Sequence, residues 1–271
     1  MKPPIITLLT DFGTQDYFVG AMKGVILSAN PTARIVDLTH NIAPQDIHAA
    51  AFNLLALYRN FPAGTIHLAV VDPGVGSNRR PILIECADQL FVGPDNGLFS
   101  WICERAGNWR AYHLTNEKLF RHPTSKTFHG RDVFAPVAAA LSNGAKPEEV
   151  GPAIEGIVQL EPLNPITTTD GNVEGRIIHV DRFGNCVTNL TTNHRTSRAA
   201  RLAVNNTEIT SYREFFCENS GSEGELFMLT GSAGFIEIAA RNASAASILN
   251  ARQGQLVVLI NGAAHQQFTS G

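Results

Sequence analysis

The sequence has no CxxC pair. Cys86, Cys103, Cys186 and Cys217 are scattered over 271 residues without a histidine at ligand spacing, so no structural metal site is expected. It also lacks any long run of lysine and arginine. With 21 basic against 24 acidic side chains the formal net charge is −3, and the positive footprint that nucleic acid or an anionic membrane surface requires is missing. Neither partner is expected. No apolar stretch approaches the roughly 18 residues of a membrane-spanning helix. The opening "MKPPIITLLTDFG" breaks its short apolar run at Asp11 and shows no small-residue cleavage site. A cytoplasmic protein with free thiols is the expectation. HExxH, GxSxG and Walker patterns are missing as well, and the first strand-to-helix turn has no GxGxxG, which removes the commonest hydrolase and nucleotide-triphosphate signatures.

What is present is a chain with 44% hydrophobic residues, enough to bury a core. In the first half, "IITLLTDFG", "ARIVDLTH" and "TIHLAVVDPG" read as buried strands that each end on an acid. Between the last two, Ile47, Ala50, Ala51, Leu54, Leu55 and Tyr58 recur at helical spacing. This alternation predicts an α/β domain over 1–162 with a largely parallel or mixed sheet. Ligands of such sheets sit beyond the carboxyl ends of the strands, where Asp11, Asp37 and Asp72 are expected to fall. The Pro- and Thr-rich stretch at 163–172 reads as a linker. From 173 to 265 short β-type runs such as "VEGRIIHVD", "NCVTNL", "ARLAVNNTEI", "ELFMLTG", "FIEIAAR" and "QLVVLI" predict a smaller all-β domain, an antiparallel barrel-like fold with Asn205-Asn206 at a hairpin tip. A polar tail, "AHQQFTSG", follows.

Several residues stand out. Asp11 and Asp16 share one Gly-containing loop and could bind a cation, hold ribose hydroxyls or cap the next helix. In "VVDPGVGSNRR" Pro73, Gly74 and Gly76 let the chain double back, bringing Arg79 or Arg80 to Asp72 either as a structural ion pair or as part of a site. "TFHGRDVFAP" places His129 beside a glycine, with Asp132 at the head of an apolar helix whose N-terminus it could complement. In "HVDRFGNCVTNL" Asp181, Phe183 and Asn185 surround a glycine turn; an aromatic face beside an amide suits a purine, and a tight turn accounts for Gly184 and Asn185 equally well. Ser232 lies between glycines whose backbone amides could hold a carboxylate.

Taken in order, "TDFGTQDYFVG", "VVDPGVGSNRR", "GPDNGLFS", "FHGRDVFAP", "DRFGNCVTN" and "GSAGFIEIAA" span residues 5 to about 246. Together they resemble the S-adenosyl-L-methionine hydroxide adenosyltransferases, a family related to fluorinases and chlorinases. The resemblance implies hydrolysis of S-adenosyl-L-methionine at ribose C5' to adenosine and L-methionine, with no cofactor. It implies a catalytic set of Asp72, Arg79 and His129, in which arginine is a poor proton acceptor and the base is Asp72 or His129. It further implies Asp11 on the ribose hydroxyls with Asp16 lining the pocket, Asp181 on the methionine amino group and Ser232 on its carboxylate. Phe183 and Asn185 would face adenine, with backbone contacts from 240–243 and stacking from Phe215 or Phe216. The halogenating relatives carry Tyr at the position of Asp72, so the chain is similar to the water-using branch. A homotrimer with the site between the first domain of one subunit and the second of its neighbour is also implied. The alternatives are a halogenase acting on the same substrate and a sensor that binds adenosine or S-adenosyl-L-methionine without turnover.

Overall fold

Apolar runs separated by helical spacing fold into a mixed sheet in the first half of the chain. The computed structural model describes residues 3–197, 199–218 and 221–261 and divides into two units, Met1–Pro162 and Leu163–Gly271. The expected domain end at 265 and the polar tail lie outside the described residues. The first unit contains β1 (Ile5–Thr10), α1 (Phe18–Ala29), β2 (Arg34–Thr39), α2 (Ile47–Leu57), β3 (Ile66–Val70), β4 (Pro81–Cys86), β5 (Gln89–Pro94), α3 (Ser100–Ala106), β6 (Trp109–His113), α4 (Ala135–Ser142) and β7 (Ala153–Ile154). Its sheet has the order β2-β1-β3-β5-β4-β6-β7. The first four strands of that order run parallel, and β4, β6 and β7 add antiparallel ladders.

The chain goes from β1 outward to β2 and then back across to β3, so the strand order reverses between β1 and β3. Right-handed crossovers then place α1 and α2 on opposite faces, where α1 packs on α4 and α2 on α3. Asp46 starts α2 by accepting the Ala49 N–H at 2.9 Å, one of the donors a helix start leaves unpaired. The core between sheet and helices holds Ile6, Leu8, Leu68 and Val92 against Met22, Ile26, Phe134 and Leu141. Truncating one such leucine to alanine removes about 2–5 kcal/mol. One expectation needs correcting: β2 is not buried. As the edge strand it has a single neighbour, and Asp37 lies inside it rather than beyond its end, paired with Lys23 at 2.6 Å and His40 at 3.1 Å.

The second unit contains β8 (Ile166–Thr167), β9 (Val173–Val180), β10 (Cys186–Thr188), β11 (Arg201–Val204), β12 (Thr207–Ile209), β13 (Leu226–Thr230), β14 (Ile236–Ala240), α5 (Ala245–Leu249) and β15 (Leu256–Ile260). Its strands pair antiparallel in the order β12-β11-β15-β9-β10-β14-β13, with β8 on β9. Strand β9 changes partner halfway, pairing with β15 through Arg176 and with β10 from Ile177 onward. At that corner the side chain of buried Asn189 accepts the Arg176 N–H at 2.7 Å, in space that a side chain at Gly175 would occupy. The two outer strands then approach each other: Met228 donates to Ser211 and Arg213 to Met228, both at 2.8 Å. This is nearly a barrel. Asn205, at φ 51°, and Asn206 form the two-residue tip between β11 and β12, the turn that accepts asparagine in left-handed backbone. Among the described residues no helix is long and apolar enough to cross a membrane.

Candidate active site

The turn after β3 closes with Val75 N–H on the Asp72 carbonyl at 3.2 Å and Ser77 N–H on that of Gly74 at 3.1 Å. This folds residues 72–79 back on themselves. Arg79 Nε donates to Asp72 Oδ1 at 2.8 Å, and its Nη2 donates both to Asp72 Oδ2 and to His129 Nδ1, the latter at 2.8 Å. The acid and guanidinium side chains are only 5% and 9% exposed, so this is a desolvated, bidentate pair rather than a screened surface bridge. The guanidinium also lies over the Phe134 ring, 5.2 Å from its centroid. Arg80 turns elsewhere, to buried Asp95 and to the carbonyl of Gly156 at 3.1 Å, while Asp95 accepts Val158 N–H at 2.8 Å. Of two adjacent arginines, one joins the acid of the turn and the other pins the segment after β7.

His129 arrives from 50 residues away through a close backbone contact. Gly76 has φ +76°, and a Cβ there would stand 2.3 Å from the Lys126 carbonyl oxygen. The turn therefore docks on the segment leading to His129. That segment is anchored by Asp132, fully buried, which accepts from Arg131 Nε at 2.7 Å and from Ser125 N–H at 2.9 Å and also faces Arg121. Asp132 thus serves as a loop anchor and is at the same time the acid in the first turn of a single π-helical stretch, Gly130–Phe134. Despite the cost of burial, the Arg131 bond, the Ser125 bond and the nearby arginines hold its carboxyl below the usual range. Burial, reinforced by Arg79 and opposed by Asp72 and Asp132, lowers the His129 pKa. Arginine only donates, so Nδ1 of a neutral His129 carries the lone pair and Nε2 the proton.

In-register pairing of Thr10 with Val70 sets Asp11 and Asp72 just past the ends of neighbouring parallel strands, at the point where strand order reverses, which is where open sheets bind ligands. Asp11, Phe12, Phe18, Gln45, Asp72, Pro73 and Val75 line an open cavity of about 400 Å³ there. Asp11 Oδ2 accepts the Gln45 N–H at 2.8 Å. Asp16 is not brought to this cavity. The loop turns at Gly13, whose N–H bonds the His40 carbonyl at 2.8 Å, and residues 14–17 run outward into exposure. Asp16 does not cap α1 either, since that helix starts from Tyr17 with no side-chain cap.

The second unit carries its own cavity, about 1170 Å³, bordered by Asp181, Phe183, Asn185 and Ser232 and by the 240–243 stretch. Asp181 organises its floor: Oδ1 accepts the N–H groups of Phe183 at 2.9 Å and Asn185 at 2.8 Å, and Oδ2 accepts Asn185 Nδ2 at 2.9 Å. Gly184 allows this because a Cβ would meet Ser244 Oγ at 2.1 Å. Phe183, Phe215 and Phe216 also border it and are 78%, 57% and 49% exposed. Three aromatic faces left to solvent around one hollow suit a planar ring. Glu237, on β14, escaped the sequence reading. Its carboxyl fills the space a side chain at Gly231 would take, and burial, then Asp181, raises its pKa. An acid among the apolar residues of "FIEIAA" was the available signal.

The family model for the SAM hydroxide adenosyltransferase N-terminal domain matches residues 6–151, and that for the C-terminal domain matches 175–258. A protein of Methanocaldococcus jannaschii named (R)-S-adenosyl-L-methionine hydrolase is 36% identical over 259 residues, covering 91% of this chain and 92% of its own. A fluorinase of Actinoplanes is 30% identical over 219 residues, covering 71% and 72%. The crystal structure of a conserved Thermotoga maritima protein aligns with TM-score 0.86 at 35% identity, covering 94% of this chain and 99% of that one. With both halves matched in order by the paired domain models, this chain belongs to the SAM hydroxide adenosyltransferase family.

Proposed function

We propose that the protein hydrolyses S-adenosyl-L-methionine to adenosine and L-methionine by attack of water at ribose C5'. The observation that carries this reading is the enclosed Asp72–Arg79–His129 network beside the cavity that also holds Asp11. Water oxygen forms the new bond to C5' as the C–S bond breaks, and its electron pair returns to sulfur. The sulfonium leaves as the neutral thioether of methionine, so the departing side needs no acid. What the enzyme supplies is aim and polarisation of one water. Arg79 stabilises the developing hydroxide. With Nδ1 of His129 occupied by Arg79 and Nε2 already protonated, the proton acceptor is Asp72, whose oxygens retain lone pairs beyond those given to the guanidinium. His129 fixes the guanidinium and offers Nε2–H as a donor.

Asp11 takes a ribose hydroxyl, and Asp181, Ser232, Phe183 and Asn185 take the methionine and adenine ends. That ligand residues lie on both units supports a homotrimer in which a first unit works with the second unit of a neighbouring subunit. Three buried free thiols, Cys86, Cys103 and Cys186, support a reducing, cytoplasmic setting.

The halogenase alternative is disfavoured by the Asp72 carboxylate, which repels a halide at short range. Incubation with S-adenosyl-L-methionine, with and without chloride or fluoride, decides between them: adenosine formed independently of halide is expected. A 5'-halogenated nucleoside would replace the reading with halogenation, and substrate recovered intact would replace it with sensing. Light scattering of the purified protein tests the trimer.

A further inference from the structure

Asp46 N–H bonds the Ala43 carbonyl at 3.0 Å, which makes 43–46 a β-turn with Pro44 in second place and Gln45, at φ 69°, in third. A positive φ at the third position belongs to the type II turn, where glycine or asparagine is at ease and other side chains are strained. Turn formation therefore accounts for Pro44 and leaves Gln45 unexplained. Three further facts concern the same residue. Its N–H holds Asp11 Oδ2 at 2.8 Å. It borders the cavity shared by Asp11 and Asp72. No hydrogen bond of its carboxamide to another described residue is found, and the residue is exposed. Backbone strain of this kind clusters at active sites and ligand clamps.

We propose that Gln45 is a specificity-determining residue that reads the ribose diol together with Asp11. This rests on the hydrolase reading above. The backbone N–H engages one oxygen of Asp11 and leaves the other for the first hydroxyl. The carboxamide carries both a donor and an acceptor, which lets it pair with the second hydroxyl whichever way that group rotates. A sugar lacking the hydroxyls leaves these groups unpaired, and that is the source of discrimination.

Gln45→Gly provides the test, because it relieves the backbone, keeps the N–H and removes only the carboxamide. The variant is expected to melt at or above the wild-type temperature, to bind adenosine about tenfold more weakly by calorimetry, and to bind 2',3'-dideoxyadenosine as the wild type does. Its KM for S-adenosyl-L-methionine should rise by a similar factor with kcat changed much less. Unchanged adenosine affinity would show Gln45 to be a turn residue and overturn the proposal. An equal loss for both nucleosides would also overturn it, since that marks general loosening of the site. If wild-type protein leaves S-adenosyl-L-methionine intact, the hydrolase reading fails by itself, and the nucleoside titrations still decide the role of Gln45.

Discussion

Replacing Gly76 with alanine tests whether one backbone contact holds His129 in place beside Arg79. The new Cβ would lie 2.3 Å from the Lys126 carbonyl oxygen, against an ordinary contact of about 3.4 Å, so the two segments must part by roughly 1 Å. Lys126 precedes His129 by three residues, and a misplacement of about 1 Å costs on the order of 10²-fold in rate. The substitution also forces alanine to φ +76°, a cost of about 1 kcal/mol that has nothing to do with the site. Gly107 supplies the control: its φ is also +76° and a Cβ there meets nothing within 4 Å. Both variants should lose a few degrees of melting temperature, and Gly76→Ala more. Only Gly76→Ala should lose kcat for S-adenosyl-L-methionine hydrolysis, by about 10²-fold. A Gly76→Ala enzyme turning over within about threefold of the wild type would refute the idea that this contact positions His129, as would an equal loss in Gly107→Ala.

Arg79→Ala should cut kcat by about 10² or more with KM much less affected, because in the proposed mechanism the guanidinium acts on charge that develops in the transition state. Arg80→Ala strands the buried Asp95 carboxylate and should lower melting temperature while sparing kcat; the reverse pattern between the two arginines would exchange their roles. Because burial and Arg79 depress the His129 pKa, the imidazole is neutral at pH 7 and protonates only below its ordinary 6.5, so the acid limb of kcat/KM should lie below that value. An acid limb above 6.5 contradicts the geometry. His67, fully buried in β3 and bonded to Thr7 at 2.7 Å and Gln89 at 3.2 Å, has its pKa lowered by burial to about 4. The unfolded chain then binds the proton first. Stability should fall as pH drops from about 6.5 through about 4, by about 3 kcal/mol in total. Urea unfolding of wild type and His67→Gln at pH 7 and pH 4.5 checks this: the difference between the two proteins must change with pH.

Local features of this chain were legible because they arise within a few residues of one another. The apolar runs of β1 and β3, the helical spacing from Ile47 to Tyr58 and the hairpin tip at Asn205-Asn206 are each set by neighbouring side chains and backbone preferences. So is the return of Arg79 to Asp72, only seven positions away across a Pro-Gly turn. The same chemistry left other matters open. Nothing near Asp72 in the chain distinguishes Arg79 from Arg80, and Asp95, which takes the second arginine, is brought there by pairing of β4 with β5. Asp37 reads as a strand-end acid in the sequence, but the pairing of β2 with β1 continues past it to Thr39, so it lies within an edge strand.

By itself, then, the sequence determined the two structural classes, the strand-end location of Asp11 and Asp72, and the family. Tertiary structure alone decided that His129 meets Arg79 through its Nδ1, that Gln45 grips Asp11, that Asp16 stays exposed outside the cavity of Asp11 and Asp72, and that Asp132 anchors a loop. The reason is physical. Propensity and pattern act over a turn or a strand, whereas contacts across 34 to 50 residues depend on the summed packing of sheet and helices, which no short segment encodes.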